Sequence, residues 1–308
     1  METIRLIRRD YMKERIVSGV ILAVLIIGLG FAGSYPLWLM CLFCSLIGYM
    51  ELTAVLCRSS SGKKKTSAPK WYSVPDLIAV PGFLLTAVYY AGLIYIEWKY
   101  GLVNQPDMIR VSDYWTMMML TLDFLLTMVV YVYTFPRRRS SQATGAVMAF
   151  LYVPVMMAYV CRTRNLPHGI FLYLLIFICA SVSDVCALAV GMAIGRHKLA
   201  PVLSPKKTIE GAIGGIAGSA VVSCLLALVV RQIEKGSDLT ILFLIIGIIG
   251  SLIGQTGDLA ASAIKRNNSI KDYGTLIPGH GGIMDRFDSI IFTAPVIYYL
   301  SFILSERL

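Results

Sequence analysis

The chain has 308 residues, of which 57% are hydrophobic and 15% are charged, and its mean hydropathy is +0.71. Soluble globular proteins have about 45–50% apolar and about 25% charged residues, so this composition excludes an ordinary soluble enzyme, a disordered chain and a collagen-like chain. In so apolar a chain, the formal net charge of +10 is typical of loops that set membrane orientation and attract anionic lipids, and we expect no nucleic-acid partner.

Long apolar windows follow one another from the first residues to the last. A transmembrane helix needs about 20 predominantly apolar residues. The sequence therefore predicts an all-α polytopic integral membrane protein with about nine transmembrane helices. A cleaved signal peptide is the alternative for the first window, but a second window follows it almost at once and favours a retained helical hairpin. The predicted spans are 16–32, 35–56, 74–96, 115–135, 145–161, 169–195, 211–231, 239–257 and 289–305.

The basic residues indicate an orientation. With the N-terminus in the cytoplasm, about three quarters of the Lys and Arg residues fall on the cytoplasmic side, as the positive-inside rule expects. The most polar cytoplasmic loops are then residues 196–210 and 258–288. We expect a cell (inner) membrane protein whose functional groups face the cytoplasm.

Glycines recur at a spacing of four residues in two of the later spans. Gly211 and Gly215 in one span, and Gly250 and Gly254 in the next, line up on one helix face. Small residues at this spacing let helix backbones approach closely, so the pattern predicts tight helix packing.

Four carboxylates lie in or near apolar spans: Glu51, Asp123, Asp184 and Asp258. Ionisable groups inside a bilayer are costly and usually face the interior of a helix bundle or a wet cavity. For any one of them, a role in helix packing or at the membrane interface is the alternative to a functional role.

The segment 258–288 contains the residue types that polyphosphate chemistry needs. Asp258 and Asp285 offer hard oxygen ligands for Mg²⁺, which takes one or two carboxylates together with substrate phosphates. Glycines around His280 let the backbone approach a ligand, and the N–H groups at the start of the last span favour anions. Cationic side chains that neutralise phosphate oxygens are Lys265, Arg266, Lys271 and Arg286.

A second basic segment lies at 196–210. A plain orientation loop explains its charge, but a phosphate-binding function is the alternative, since the N-terminus of the next span follows directly. The residues that would hold phosphate are Ser204, Lys206, Lys207 and Thr208.

With these residues in view, the stretch 262–288 resembles the signature of the CDP-diacylglycerol synthases (phosphatidate cytidylyltransferases). The segment 204–211 and the pair Gly257-Asp258 also resemble family segments, and Glu51 is a candidate for a family glutamate. The chain departs from the family at Ile209, where Trp is frequent, and at Ala261, where Glu is common. The matching signature positions are Ser262, Lys265, Arg266, Lys271, Asp272, Gly274, Pro278, His280, Gly281, Gly282, Asp285, Arg286 and Asp288.

The resemblance implies a nucleotidyltransferase of phospholipid biosynthesis, which transfers CMP from CTP to phosphatidic acid and releases pyrophosphate. It implies a low-specificity region at 1–140 and a catalytic region at 141–308. The implied catalytic residues are Asp258, Lys265, Arg266, Lys271, Asp272, His280, Asp285, Arg286 and Asp288. The implied substrate-binding residues are Asp184, Ser204, Lys206, Lys207, Thr208, Glu210, Ser262, Gly281 and Gly282.

The implied cofactor is Mg²⁺ held by Asp258 and Asp285, with Asp184 and Asp288 supporting these ligands or holding a second cation. A monovalent cation such as K⁺ beside Mg²⁺, and a homodimer, are left open. The implied partners are CTP, phosphatidic acid and membrane lipids. A CTP-dependent lipid or polyprenol kinase and an ion-coupled membrane transporter are the alternative functions.

Overall fold

A computed structural model of the chain describes residues 24–57, 76–101, 105–234, 238–276 and 281–305. Within these ranges, eight helical segments are long and apolar enough to cross a membrane. They confirm the second to ninth predicted spans and the all-α polytopic class. The first predicted span, 16–32, lies partly outside the described residues, and its described part, 24–32, is helical.

Short helical turns of other types interrupt or precede the α-helices. A 3₁₀ turn, Leu77–Ala79, precedes the second one, and π-helical turns at Leu151–Val155 and Ile178–Val182 join helix pairs into single spans. In chain order the helices are α1 Ser34–Leu56, α2 Val80–Tyr100, α3 Gln105–Thr134, α4 Ser140–Phe150, α5 Met156–Arg164, α6 Gly169–Phe177, α7 Ser183–Ile194, α8 Ile209–Ile233, α9 Thr240–Asn267 and α10 Met284–Ser305.

The structure contains a β-hairpin that the sequence analysis did not predict. Strands β1 (Lys198–Ala200) and β2 (Ser204–Thr208) pair antiparallel, with Lys198 opposite Thr208. Pro201 and Pro205 disfavour a helix here, because proline lacks the N–H donor, and a two-stranded ribbon tolerates proline since each strand has a free edge.

The segment between the last two helices is shorter than the predicted loop 258–288. Helix α9 continues ten residues beyond its predicted end, to Asn267, and α10 begins at Met284. No Gly or Pro follows Gly257 in α9, and Lys265 and Arg266 suit a helix C-terminus because they complement its dipole. Asp258 and Ser262 therefore lie on a helix one turn apart.

The chain divides into two compact units. The first comprises residues 1–158 and 268–286, and the second comprises residues 159–267 and 287–308. The functional division predicted at residue 140 concerns activity and stays a prediction.

In the first unit, aromatic side chains fill the contacts between helices. Tyr90 on α2 packs edge-to-face against Trp38 of α1 and against Tyr89, and Tyr89 packs against Phe150 of α4. The Tyr90 hydroxyl lies 2.7 Å from Ser45 Oγ. Burial of such large rings dominates the packing free energy of a core.

In the second unit, α8 packs closely on α7. A Cβ atom added to Gly211 would lie 2.6 Å from the Ala187 carbonyl oxygen, and one added to Gly215 would lie 2.7 Å from that of Ser183. Since side chains cannot occupy this space, the backbones touch directly, and the predicted packing role of these glycines is confirmed.

Candidate active site

A cavity of about 660 Å³ lies in the second unit, between α7, the β-hairpin, α8 and α9. Its wall combines acidic residues from two helices with lysines from both strands. The polar residues that line it are Asp184, Lys198, Lys206, Lys207, Thr208, Gln255 and Asp258, and the apolar ones include Leu188, Met192 and Leu199.

An ion pair spans this cavity wall. Lys207 Nζ on β2 contacts Asp258 Oδ2 on α9, and each side chain is 27% exposed. The charge of Lys207 also acts on Asp184, which is exposed at the start of α7. The hairpin thus brings a cation to two carboxylates that the sequence analysis placed in separate spans.

A third carboxylate belongs to the same group. Asp288 on α10 is buried, with 9% of its surface exposed, and it lies in the electrostatic field of Asp258, Asp184 and Lys265. Its Oδ1 accepts the backbone N–H of Ser289 at 2.7 Å. The three carboxylates offer hard oxygen atoms, which suit a divalent cation, and the lysines beside them suit the phosphates bound with it.

Two predicted substrate-binding residues hold the hairpin to α8. The Thr208 hydroxyl caps α8 by accepting the N–H of Gly211 at 3.1 Å. The Glu210 carboxylate accepts the backbone N–H groups of Arg196 and His197 and lies 2.6 Å from His197 Nδ1. These contacts hold β2, which carries Lys206 and Lys207, in place at the cavity wall.

The side chain of Gln255 on α9 has a structural role. Gln255 Nε2 donates to Ser183 Oγ at 3.0 Å and to the Ala212 carbonyl oxygen at 3.1 Å. The amide therefore connects α9 to α7 and α8 behind the cavity, one turn from Asp258.

In the first unit, the start of α10 is organised by Glu51 of α1. The Glu51 side chain is buried, with 2% exposed, and its carboxylate accepts the N–H groups of Ile283 (3.2 Å) and Met284 (2.9 Å). The helix N-terminus was expected to bind a substrate anion, but these two N–H groups bind a carboxylate of the chain itself. Negative charge at this position also complements the helix dipole.

Two signature glycines make room for this contact. A Cβ atom on Gly274 or on Gly282 would overlap the Glu51 carboxylate. The sequence analysis assigned backbone freedom here to ligand binding, whereas the group that approaches the backbone is Glu51.

The Asp285 side chain stabilises the segment that precedes α10. Its Oδ2 accepts the N–H groups of Tyr273 (2.7 Å) and Gly282 (3.0 Å). Gly281 adopts a positive φ of 86°, and a Cβ atom there would lie 2.8 Å from Asp285 Oδ2 and 3.4 Å from the Asp272 Cβ. Asp285 and Asp272 therefore lie close together around a turn that requires glycine.

The other predicted site residues are spread over both units. Ser262, Lys265 and Arg266 follow Asp258 along α9 in the second unit, and Ser204 begins β2. Lys271, which is exposed, and Arg286, in the first turn of α10, belong to the first unit with Asp285. Pro278 and His280 lie outside the described residues. The pairing of Asp258 with Asp285 at one metal ion stays a prediction.

Within the described ranges, no three Asp, Glu, His or Cys side chains converge on one metal position. Mg²⁺ does not need such a set, because it retains water molecules and binds substrate phosphates through one or two carboxylates. The carboxylates of Asp258, Asp184 and Asp288 provide oxygen ligands of the kind that Mg²⁺ binds.

Glu51 is the residue whose contacts the sequence analysis did not predict. Its signal was a glutamate within an apolar span, which is costly unless the carboxylate is satisfied. Its partners lie 232 and 233 residues further along the chain, so no local pattern could identify them.

Comparison with known proteins shows to which family the chain is related. The sequence profile of the cytidylyltransferase family matches residues 13–304. The phosphatidate cytidylyltransferase of Bacillus subtilis (strain 168) is 30% identical over 292 residues, which cover 94% of this chain and 97% of that protein. That of Staphylococcus saprophyticus is 30% identical over 293 residues, covering 94% and 98%. That of Synechocystis sp. is 43% identical over 136 residues, covering 44% and 45%.

The family profile and the first two relatives match nearly the whole chain, including both units. The chain belongs to the cytidylyltransferase family, and it is an integral membrane nucleotidyltransferase.

Proposed function

We propose that the chain is a phosphatidate cytidylyltransferase, which transfers CMP from CTP to phosphatidic acid and yields CDP-diacylglycerol and pyrophosphate. The observation that carries the proposal is the cavity in which Lys207 pairs with Asp258 beside Asp184. The near-full-length similarity to phosphatidate cytidylyltransferases supports the choice of substrates. No feature of the cavity favours the kinase or the transporter.

In the proposed reaction, an oxygen of the lipid phosphate attacks the α-phosphorus of CTP. The bond from the α-phosphorus to the oxygen that bridges to the β-phosphate breaks, and pyrophosphate leaves with that electron pair. A phosphomonoester has a second pKa near 6, so the attacking group is largely dianionic at neutral pH and needs no strong general base. Catalysis then rests on in-line positioning and on neutralisation of charge.

The lysines of the hairpin perform much of this neutralisation in our proposal. Lys207, Lys206 and Lys198 line one cavity wall, where ammonium groups would bind phosphate oxygens. The apolar side chains of Leu188 and Met192 on the same wall would accept the start of an acyl chain. The remaining proposed phosphate contacts are Ser204, Lys265, Arg266, Lys271 and Arg286, with His280 at the leaving pyrophosphate.

Asp258 is the proposed principal ligand of Mg²⁺, with Asp285 as its partner ligand and with Asp184 and Asp288 as supporting carboxylates. When bound, the ion would supply positive charge to the phosphate oxygens as charge shifts to the leaving group.

The proposed location is the cell membrane, with the cavity on the cytoplasmic side. This orientation gives the cavity lysines access to CTP, which is a cytoplasmic solute, and leaves the lipid substrate in the adjoining leaflet. The excess of Lys and Arg residues in the predicted cytoplasmic segments supports this orientation.

The test is pyrophosphate release by the full-length protein in detergent, with CTP, phosphatidic acid and Mg²⁺ supplied together and omitted in turn. We expect release only when all three are present, accompanied by a liponucleotide. CDP together with a new phospholipid would instead identify a kinase, and transport of a solute without CTP turnover would identify a transporter.

Substitution at the metal ligand sharpens the test. Asp258→Asn should lower turnover by a factor of about 10² or more, whereas Asp238→Asn, an exposed exchange of the same kind, should not. Normal turnover of folded Asp258→Asn protein would refute the metal assignment.

A further inference from the structure

A buried carboxylate in the first unit has no role in the proposed reaction. Asp123 lies on α3, eleven residues before its end at Thr134, which places it about 17 Å inside the span. It is completely buried, and among the described residues neither carboxylate oxygen has a hydrogen-bond partner. A charged group at this depth costs at least about 2.5 kcal/mol, and such residues are normally partnered.

The nearest position on the same helix face is also unsatisfied. Thr127 lies one turn after Asp123, is completely buried, and its hydroxyl likewise has no partner in the described part of the chain. By contrast, Thr116, Thr121 and Thr134 of the same helix each donate to the carbonyl four residues earlier. Thr127 does not make this local bond in the described part of the chain.

Residues from α1 and α2 complete the surroundings. The buried Tyr49 hydroxyl donates to the Ala79 carbonyl oxygen at 3.0 Å, which leaves its oxygen lone pairs available. A Cβ atom on Gly82 would overlap this hydroxyl and would lie 2.9 Å from Asp123 Oδ1. Glycine is therefore required where the tyrosine oxygen and the carboxylate both approach the backbone of α2.

We propose that Asp123, Thr127 and Tyr49 bind one monovalent metal cation, such as Na⁺ or K⁺, in the space beside Gly82. Asp123 Oδ1 and the Tyr49 hydroxyl oxygen approach the same point beside Gly82, and in the described part of the chain neither oxygen of the carboxylate nor the Thr127 hydroxyl has a hydrogen-bond partner. A hydroxyl or carboxylate oxygen is a suitable ligand for a hard cation.

Charge balance selects a monovalent ion. One carboxylate and neutral hydroxyl oxygens give a site of charge −1, so a single positive charge makes the cluster neutral, whereas a divalent ion would leave a buried positive charge. A bridging water would satisfy the hydrogen bonds but would leave the carboxylate charge in the membrane. This site involves none of the residues assigned to nucleotidyl transfer, so it stands or falls separately from the proposed function.

The experiment is thermal unfolding of the full-length protein in detergent, with NaCl or KCl exchanged for choline chloride at constant ionic strength. A cation that binds only the folded state raises the unfolding midpoint in a saturable way. At a hundredfold excess over the dissociation constant we expect a rise of roughly 5 °C. Equilibrium binding of ²²Na⁺ or ⁸⁶Rb⁺ should then reach one ion per chain.

Variants of α3 provide the controls. Asp123→Asn should abolish the cation dependence, and Thr127→Val should raise the half-saturating concentration by about tenfold. Asp107→Asn and Thr121→Val, which are exposed positions on the same helix, should leave it unchanged. If Asp123→Asn does not fold, the cation titrations of the wild-type protein and of Thr127→Val still test the proposal.

Equal midpoints of the wild-type protein in Na⁺, K⁺ and choline would overturn the proposal. So would an equal cation response in the wild-type protein and Thr127→Val. A cation-insensitive wild type that is stabilised by Asp123→Asn would mean that the carboxyl carries a proton, and would overturn it as well.

Discussion

Replacement of Glu51 by glutamine would disturb the start of α10 without changing the size of the side chain. The carboxylate accepts two backbone N–H groups, those of Ile283 and Met284. A glutamine amide can accept one of them but turns an N–H donor toward the other. Hydrogen bonds to a charged acceptor contribute about 1.5–3 kcal/mol each, so we expect a loss of about 2 kcal/mol.

We expect this loss to favour local opening of the segment formed by residues 268–276 and 281–283, which precedes α10. A cost of about 2 kcal/mol corresponds to a roughly 30-fold larger population of the opened segment. Trypsin reports this population through cleavage after Lys271, which is exposed but lies between buried Ile270 and Tyr273. When opening is fast relative to cleavage, the cleavage rate follows that population.

The matched control is Glu97→Gln. Glu97 accepts the indole N–H of Trp38, and a glutamine carbonyl can accept the same donor, so the rate of cleavage after Lys271 should stay at the wild-type value. If Glu51→Gln is cleaved no faster than the wild-type protein, the assignment of Glu51 as the acceptor that holds the start of α10 is wrong.

Three further substitutions test individual contacts by thermal unfolding. Thr208→Ala removes the α8 cap and should cost about 1 kcal/mol, which Thr208→Ser should restore. Gly282→Ala places a methyl group against the Glu51 carboxylate, so it should lower the midpoint and accelerate tryptic cleavage as Glu51→Gln does; a wild-type cleavage rate would contradict this. Gly215→Ala forces α8 away from α7 at a cost of about 1–3 kcal/mol, whereas Gly28→Ala, with no atom within 4 Å of the new methyl group, should not destabilise; equal midpoints would refute the packing argument.

The apolar spans and their glycines could be read from the sequence, because both depend on local composition. About 20 apolar residues suffice to predict a span wherever it packs, and Gly211 and Gly215 predict a close helix contact without naming the partner. The signature at 262–288 likewise identified the family from residue types and spacing. The same local reasoning ended α9 too early, since polar residues such as Asp258 and Lys265 were taken to mark a loop.

Only the tertiary structure decided which distant groups meet. It paired Glu51 with the N–H groups of Ile283 and Met284, so that a helix start expected to bind a substrate anion binds the chain's own carboxylate. It also folded the basic segment into a hairpin that carries Lys207 to Asp258. Such contacts follow from the packing of whole helices, which brings together residues that are far apart in the sequence. From the sequence alone, a charged residue in an apolar span shows only that it needs a partner, not which partner it has.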